Sequence, residues 1–174
     1  MEGVAEHTSR LILIRHAKSD YPVGVPDHDR PLNARGRANA RVMGRTVREI
    51  LEPLGAYSVA LSTAIRVQET WNAMSESVPA PTRSWNDASL YLAESDAIIE
   101  AAQCASTPTV VIIGHNPGIE DLARMSQGAD SARDPHTGRA LREKLPTSSV
   151  TVIEGELSRW TPEESRIVGF HVCR

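Results

Sequence analysis

The sequence has little cysteine and no long hydrophobic segment. Its two cysteines, Cys104 and Cys173, have neither CxxC spacing nor a histidine cluster, so the sequence predicts neither a disulfide framework nor a zinc site. No apolar run approaches the roughly 18 residues that span a bilayer. Residues 1–9 are polar and acidic, unlike a signal peptide, and are expected to form a loose leader. We therefore expect a cytoplasmic protein with no membrane partner.

Cofactor and metal motifs are also missing. There is no Gly-x-Gly-x-x-Gly or Walker-type loop, which argues against a nucleotide cofactor and against a plain Rossmann-type nucleotide binder. His-Glu-x-x-His is absent, and the triplet Asp27-His28-Asp29 has no second cluster of metal ligands. A net charge of −3 gives no reason to expect a nucleic-acid partner. We predict a protein that needs no metal and no cofactor.

Buried strands and amphipathic helices alternate along the 174 residues, a length that suits a single domain. Strands are expected at 10–15, 57–61, 82–85, 109–113, 150–153 and 167–172. Helices are expected at 34–54 after an Asn33 cap, from a Ser62 or Thr63 cap to about 74, at 96–103 after a Ser95 cap, and after an Asn116 cap. The pattern predicts a three-layer α/β/α sandwich with a mostly parallel central sheet.

Two long connections interrupt this alternation. Residues 17–32 carry four prolines or glycines among charged residues, and a loop of this length inside a compact domain is usually functional. Residues 127–146 are polar and are expected to form an insertion near the site, with a short helix around 140–144. Because the first loop leaves directly from His16, it can fold over whatever this histidine binds.

Two aliphatic runs end in the same way. Leu11 to Ile14 is followed by Arg15-His16, and Val110 to Ile113 is followed by Gly114-His115. Open α/β sheets bind ligands outside the carboxyl ends of their strands. Each histidine alone is more often structural or exposed, but two at equivalent positions predict that His16 and His115 face one pocket.

Two arginines suit an anion in that pocket. Arg15 precedes His16, and Arg66 lies in the first turn of a predicted helix, where the backbone amides already favour an anion. The alternative is that Arg66 pairs with a surface carboxylate such as Glu69. Two histidines, two arginines and a helix start at His115-Asn116-Pro117-Gly118 would together bind a tetrahedral oxyanion, most simply phosphate.

The same residues belong to a longer series of motifs. In chain order these are Arg15-His16-Ala17-Lys18-Ser19, Asp29-Arg30-Pro31-Leu32-Asn33-Ala34-Arg35-Gly36, Ser62-Thr63-Ala64-Ile65-Arg66-Val67-Gln68-Glu69-Thr70, Leu90-Tyr91, Gly114-His115-Asn116-Pro117 and Leu145-Pro146-Thr147-Ser148. The series resembles the histidine phosphatase superfamily. More narrowly, it resembles the SixA-type phosphohistidine phosphatases, which lack the extra helical subdomain of phosphoglycerate mutases. The resemblance implies a phosphoglycerate mutase-like fold and one histidine phosphatase domain over 1–174.

The resemblance also implies a two-step phosphoryl transfer. The family's nucleophile maps onto His16, its phosphate-binding arginines onto Arg15 and Arg66, and its second histidine onto His115. A nucleophilic imidazole must be neutral and held in one tautomer, and neighbouring cations favour the neutral form. Ala17 stands where the superfamily usually has glycine, and alanine cannot cheaply adopt a positive φ.

The proton donor has no clear counterpart in this sequence. Asp20, four residues after the proposed nucleophile, is the first candidate, with Asp29 and Glu69 behind it; Asp20 is equally consistent with an exposed loop carboxylate. A phosphohistidine substrate needs such help less, because imidazole leaves readily. Three further residues are candidate substrate contacts: Lys18, Tyr91 and Asn116.

We thus predict a metal-independent phosphatase that acts on phosphohistidine or on phosphomonoesters. The expected partner is a phosphate-bearing substrate, and a phosphohistidine protein is one candidate. Two alternatives stay open at this point: a small-molecule phosphomonoesterase of the same superfamily, and a non-catalytic module that binds phosphate. Turnover that His16→Ala abolishes would distinguish the catalytic hypotheses from the non-catalytic phosphate-binding module.

Overall fold

The computed structural model describes residues 9–126, 138–139 and 142–174. The expected leader 1–9 therefore lies outside the described residues except for Ser9, which begins the first strand. The predicted insertion 127–146 and its helix around 140–144 also lie largely outside them. No helix of the described residues is both long and apolar enough to cross a membrane.

In the described part of the chain, six strands and four helices form the frame that carries the site. The strands are β1 (Ser9–Arg15), β2 (Tyr57–Ser62), β3 (Arg83–Asp87), β4 (Thr109–Gly114), β5 (Ser149–Gly155) and β6 (Arg166–Val172). The helices of eight residues or more in the described ranges are α1 (Ala34–Leu51), α2 (Ile65–Ser75), α3 (Ser95–Gln103) and α4 (Gly118–Met125). The strand bounds agree with the predicted ones to within two residues.

The strands make one sheet in the order β3-β2-β4-β1-β5-β6. The first four strands of the chain run parallel to one another, and β5 pairs antiparallel with both β1 and β6. The mostly parallel sheet is therefore as predicted. Its central strands β1 and β4 are adjacent, with Arg15 opposite Gly114, so the two strands that precede the histidines end side by side.

Each face of the sheet packs against a different pair of helices. On one face, Ile12, Ile14, Val111 and Ile113 share a core with α1 and α2. On the other, the alternate side chains Leu11, Leu13, Val110 and Ile112 share a core with α3 and α4. All eight side chains are fully buried. This double burial explains why these runs are apolar at every position, and it confirms the predicted three-layer sandwich.

The prediction of helix starts was right for α1 and wrong for three others. Asn33 Oδ1 accepts a hydrogen bond from Gly36 N, as an N-cap should. Helix α2 is preceded by Ala64, which provides no side-chain cap. The Thr63 hydroxyl binds His28, and the Ser62 hydroxyl binds His115 and also accepts from Ala64 N at 3.4 Å. Glu94 precedes α3, and Ser95 is its first residue.

The start of α4 also differs from the prediction. Pro117 occupies the N-cap position, and the helix begins at Gly118. The Asn116 side chain does not cap it, because its amide donates to Glu120 Oε2 at 2.7 Å and to the Leu145 carbonyl at 3.2 Å. Asn116 therefore joins α4 to the segment before β5.

The loop 17–32 is an ordered hairpin. Ser19 pairs with Leu32 in an antiparallel bridge, and Asp20 N donates to Pro31 O at 2.8 Å. Its base rests on α1: Asn33 N donates to Lys18 O, and a Cβ on Gly36 would lie 2.0 Å from that same oxygen. Only glycine permits this approach. The segment after His16 is thereby held against the start of α1.

Candidate active site

His16 and His115 follow the adjacent ends of β1 and β4. Their ring centroids are 5.2 Å apart, and His16 N donates to Gly114 O at 3.1 Å. Both histidines are buried, with 7% and 3% of their surface exposed. The structure thus brings the two predicted histidines into one pocket at the carboxyl end of the sheet.

The hydrogen bonds of His16 define its tautomer. Nδ1 lies 2.7 Å from the Ala17 carbonyl, which can only accept, so Nδ1 carries the proton. Nε2 then holds the lone pair, and it accepts from Arg66 Nε at 3.3 Å. Burial lowers the pKa of His16 to about 3, and the charges of Arg66 and Arg15 act in the same direction. The imidazole is neutral at pH 7, with a lone pair facing the arginine.

Helix α2 supports the turn that follows His16. The Thr70 hydroxyl donates to Arg66 O at 2.6 Å and accepts from Ala17 N at 3.1 Å. Among the described non-glycine residues only Leu92 and Ser148 have a positive φ, so Ala17 adopts an ordinary backbone conformation. Alanine is therefore accommodated without strain at the position where the superfamily usually has glycine.

His115 is held by two neighbours. Its Nδ1 lies 3.3 Å from Arg66 Nη2, which can only donate, so Nε2 carries the proton and donates to Ser62 Oγ at 2.8 Å. Burial lowers the pKa of His115 to about 3, and the charge of Arg66 adds to this effect. A neutral His115 therefore lies beside the guanidinium that also contacts His16.

Arg66 is the centre of this cluster. Only 2% of its surface is exposed, and its side chain contacts both histidines. Its carboxylate partner is Asp27 and not Glu69: Asp27 Oδ2 accepts from Nη2 at 3.0 Å, and Asp27 O accepts from Nη1 at 2.5 Å. Hydrogen bonds from Tyr91 and Arg66 hold the pKa of Asp27 near 2. A buried cation is thus oriented by an ionised carboxylate at the pocket rim.

Arg15 reaches the cluster from the end of β1. Its Nη1 donates to the Leu145 carbonyl, while its buried Nε has no hydrogen-bond partner among the described residues. Burial lowers its pKa, and a guanidinium remains charged at neutral pH even so. The charge of Arg15 contributes to the lowered pKa values of both histidines. An anion could accept from its unpartnered N–H.

The segment 145–148 holds the backbone at the end of β1. Ser148 has a φ of 65° and its N–H donates to the carbonyls of both Arg15 and His16, at 3.2 Å each. Leu145 is anchored by Glu120, whose Oε2 accepts from Leu145 N at 2.9 Å. This carboxylate therefore positions the carbonyl that accepts from Arg15.

The structure does not bring the proton-donor candidates into the cluster. Glu69 Oε2 accepts from Leu32 N at 2.6 Å, so it braces the hairpin against α2. Asp20 is exposed, with Oδ1 accepting from Tyr21 N. Asp29 binds His28 Nδ1 at 3.1 Å on the exposed side of the loop. None of these three carboxylates has an observed contact with either pocket histidine within the described ranges.

The three candidate substrate contacts lie in different parts of the structure. Tyr91 lies in the pocket wall: its ring is 5.5 Å from His115, and its hydroxyl donates to Asp27 Oδ2 at 2.6 Å. The Asn116 side-chain amide donates to Glu120 and to the Leu145 carbonyl, so its N–H groups are not directed at the histidines. Lys18 Nζ lies 5.6 Å from the Tyr21 ring, at the outer loop.

Asp27 is the residue that sequence reasoning missed. It appeared only within a weak metal triplet, although its loop leaves directly from His16 and so must pass the pocket. Across residues 9–126, 138–139 and 142–174, no group of three His, Cys, Asp or Glu side chains could hold a metal ion. The arrangement, two neutral imidazoles beside two guanidinium groups, suits a small oxyanion.

Comparison with known proteins gives the family. Residues 11–89 match the profile of the histidine phosphatase superfamily, branch 1. The uncharacterised protein Rv1276c of Mycobacterium tuberculosis is 34% identical over 165 residues, covering 92% of this chain and 100% of the relative. The chain belongs to the histidine phosphatase superfamily, as its motifs predict.

Solved structures refine this placement. A protein assigned as phosphohistidine phosphatase SixA from Nakamurella multipartitia has a TM-score of 0.75 and 26% identity, with 95% of this chain and 96% of that chain covered. Its counterpart from Agrobacterium tumefaciens has a TM-score of 0.72 and 25% identity, with coverage of 94% and 97%. A phosphoglycerate mutase from Plasmodium falciparum shares the fold alone, with a TM-score of 0.60, 18% identity and coverage of 96% and 93%.

These likenesses confirm two predictions. The chain is SixA-like, and its fold is phosphoglycerate mutase-like in a small form. Superfamily membership and the SixA-like neighbours support a phosphatase activity.

Proposed function

We propose that this protein is a metal-independent phosphatase that transfers the phosphoryl group of its substrate to His16 and then to water. The observation that carries the proposal is the state of His16. Its buried ring is neutral, its Nδ1 proton is bound by Ala17 O, and its Nε2 lone pair faces the Arg66 guanidinium. A nucleophile needs a lone pair with a fixed direction, and this one becomes free for attack when a substrate oxygen accepts from Arg66 Nε in its place.

In the first step, the His16 Nε2 lone pair attacks phosphorus. A nitrogen–phosphorus bond forms, and the bond from phosphorus to the leaving group breaks with its electron pair moving to the leaving atom. Arg66 and Arg15 would stabilise the charge on the equatorial oxygens, which is the protein's main task in phosphoryl transfer. The contact between Ala17 O and Nδ1 stabilises the positive charge that develops on the ring.

In the second step, water attacks the phosphohistidine. Its oxygen bonds to phosphorus, the bond to Nε2 breaks, and inorganic phosphate leaves with His16 neutral again. His115 is proposed to assist in both steps. A dianion bound beside it raises its pKa, which favours an imidazolium whose Nδ1–H donates a hydrogen bond to a phosphoryl oxygen and not a proton to the leaving group.

The leaving group is inferred from what surrounds the pocket. Asp27 is the carboxylate joined to Arg66, and with a pKa of about 2 it is ionised and cannot serve as an acid at pH 7. An alkoxide leaving group needs a proton, whereas an imidazole leaving from phosphohistidine needs one less. Phosphohistidine in a protein is therefore the proposed substrate, in keeping with the assignment of the SixA neighbours. The cytoplasmic location stays a prediction.

The test is a steady-state comparison of substrates at pH 7 in the presence of a chelator. We expect wild-type protein to dephosphorylate a phosphohistidine protein with a higher kcat/KM than sugar phosphates or nucleoside monophosphates. His16→Ala should abolish turnover while circular dichroism stays unchanged. A preference for a small metabolite would favour the phosphomonoesterase alternative. Absence of turnover on every substrate would favour the non-catalytic phosphate-binding module.

A further inference from the structure

The hairpin beside the pocket exposes several large apolar side chains. Tyr21 is 67% exposed, Val23 is fully exposed and Val25 is 37% exposed, and all three lie within one five-residue stretch. The hairpin backbone is tied down on both sides of them, by the bridge between Ser19 and Leu32 and by further main-chain hydrogen bonds. An ordered loop therefore presents an apolar tip to solvent. Exposed aliphatic residues such as the two valines are ordinary, whereas an exposed aromatic ring held in a fixed orientation beside a pocket can take part in binding.

The Tyr21 ring is held in place by Arg30. The guanidinium carbon of Arg30 lies 4.0 Å from the ring centroid, a stacking distance that fixes one face of the ring. Arg30 itself is well restrained. Its Nε and Nη2 donate to Asp27 Oδ1 at 3.0 and 2.8 Å, and its Nη1 donates to Ser19 Oγ at 3.0 Å. Tyr21 is thus an exposed aromatic ring with a preset orientation.

A continuous series of contacts joins this ring to the catalytic pocket. Asp27 accepts from Arg66 through Oδ2 and from Arg30 through Oδ1, so one carboxylate connects the pocket arginine with the arginine under Tyr21. Electrostatics agree with this proximity. The neighbouring Arg30 guanidinium is the largest cause of the lowered pKa of the Tyr21 hydroxyl, and the charge of Arg66 acts in the same direction.

We propose that Tyr21, stacked on Arg30 and linked to Arg66 through Asp27, is a specificity-determining residue whose ring packs against a flat, unsaturated leaving group of the phosphorylated substrate. The inference rests on the proposed function, because it concerns the part of the substrate that leaves. The imidazole of phosphohistidine and the ring of an aryl phosphate share this chemistry. A saturated alkyl group lacks the flat face that such a platform recognises.

Binding of two non-hydrolysable phosphonates tests the platform without requiring turnover. Phenylphosphonate and methylphosphonate present the same anion to the arginines and differ only in the flat ring. By calorimetry, wild-type protein should bind phenylphosphonate more tightly, and Tyr21→Ala should reduce that preference about tenfold, the size of one stacking contact. Tyr21→Phe should keep the preference, since the ring is retained.

Val23→Ala is the matched control, because Val23 lies on the same hairpin tip and is fully exposed. It should leave the ratio of the two affinities within twofold of wild type. Equal affinities for the two phosphonates in wild type, or an unchanged ratio in Tyr21→Ala, would overturn the inference. Methylphosphonate affinity should hold in Tyr21→Ala, which shows that the anion site is intact.

Turnover assays then show whether Tyr21 contacts the ring of the leaving group itself or other parts of a phosphohistidine protein. With Tyr21→Ala we expect kcat/KM to fall about tenfold for p-nitrophenyl phosphate and for free phosphohistidine, with ethyl phosphate changed less than twofold. An equal loss on all three substrates would contradict the platform. A loss on a phosphohistidine protein alone would assign Tyr21 to protein contacts and would also contradict it. Inactivity of wild type with an intact phenyl preference would refute the proposed function and not the platform.

Discussion

Asp27 holds Arg66 through two separate atoms, its carboxylate Oδ2 at 3.0 Å from Nη2 and its carbonyl oxygen at 2.5 Å from Nη1. Arg66 Nε is left to donate to His16 Nε2, at 3.3 Å. Asp27 therefore determines which edge of the Arg66 guanidinium faces His16. The hairpin that carries Asp27 is in this way part of the pocket, although 39 positions separate the two residues in the sequence.

Asp27→Ala should lower kcat/KM for any phosphorylated substrate by about tenfold or more, because it removes the carboxylate that accepts from Arg66. Hydrogen bonds to charged groups contribute roughly 1.5–3 kcal/mol, and the partial exposure of Asp27 favours the lower end of that range. The mechanism is loss of orientation in Arg66, so the inhibition constant for orthovanadate should rise in parallel. Asp29→Ala is the matched control. Its carboxylate is 58% exposed and binds His28, so its activity should stay within twofold of wild type. Equal effects of the two variants would contradict this role of Asp27.

Glu120→Gln should weaken oxyanion binding through Arg15. The Glu120 carboxylate accepts from Leu145 N and Asn116 Nδ2, and the Leu145 carbonyl in turn holds Arg15. Loss of the charge weakens both bonds, and we expect the dissociation constant for vanadate to rise about tenfold.

Asp121→Asn provides the comparison, since Asp121 is the next residue of the same helix and is exposed. Vanadate affinity should be unchanged in that variant. Thermal denaturation of both variants separates positioning from stability. An unchanged vanadate affinity in Glu120→Gln would show that Arg15 does not depend on this carboxylate.

Stability should fall as the pH drops from 6.5 to 5. The pKa values of His16 and His115 are about 3 in the folded protein and 6.5 in the unfolded chain, so below pH 6.5 the unfolded state binds more protons. Stability therefore rises with pH in this window, by at most about 1.4 kcal/mol per pH unit for each histidine. Asp27, with its folded pKa near 2, adds a loss only below about pH 3.8.

Urea denaturation at pH 6.5, 5.8 and 5.0 measures this slope. His16→Asn and His115→Asn should each reduce it, because each removes one group that stays neutral only when folded. A flat or inverted dependence in wild type would mean that the histidines are more solvated than their contacts indicate.

The sheet and the proximity of His16 and His115 could be predicted from the sequence. Both follow from local signals: the runs Leu11 to Ile14 and Val110 to Ile113 are apolar on both faces, and strands β1 and β4 then have to lie inside the sheet. Two parallel neighbours end at the same edge. Arg66 was found in the same way, from its place in the first turn of α2.

The helix caps and the rim of the pocket could not be read in this way. Ser62 and Thr63 have the chemistry of N-caps, but tertiary contacts with His115 and His28 take their hydroxyl groups. Asp27 lies in an irregular loop with no periodicity, and its partner is distant in sequence. Such contacts depend on the final fold, so a local pattern does not encode them.

The central claim is that His16 Nε2 forms a covalent bond to phosphorus, and rapid quenching tests it most directly. Wild-type protein mixed with a phosphohistidine protein, quenched in alkali within milliseconds and digested should yield a phosphorylated peptide containing His16. The label should be lost in acid, as expected of a phosphorus–nitrogen bond, and should be absent from His16→Ala. Phosphate attached to His115, or turnover in wild type with no phosphorylated peptide at any quench time, would contradict the account.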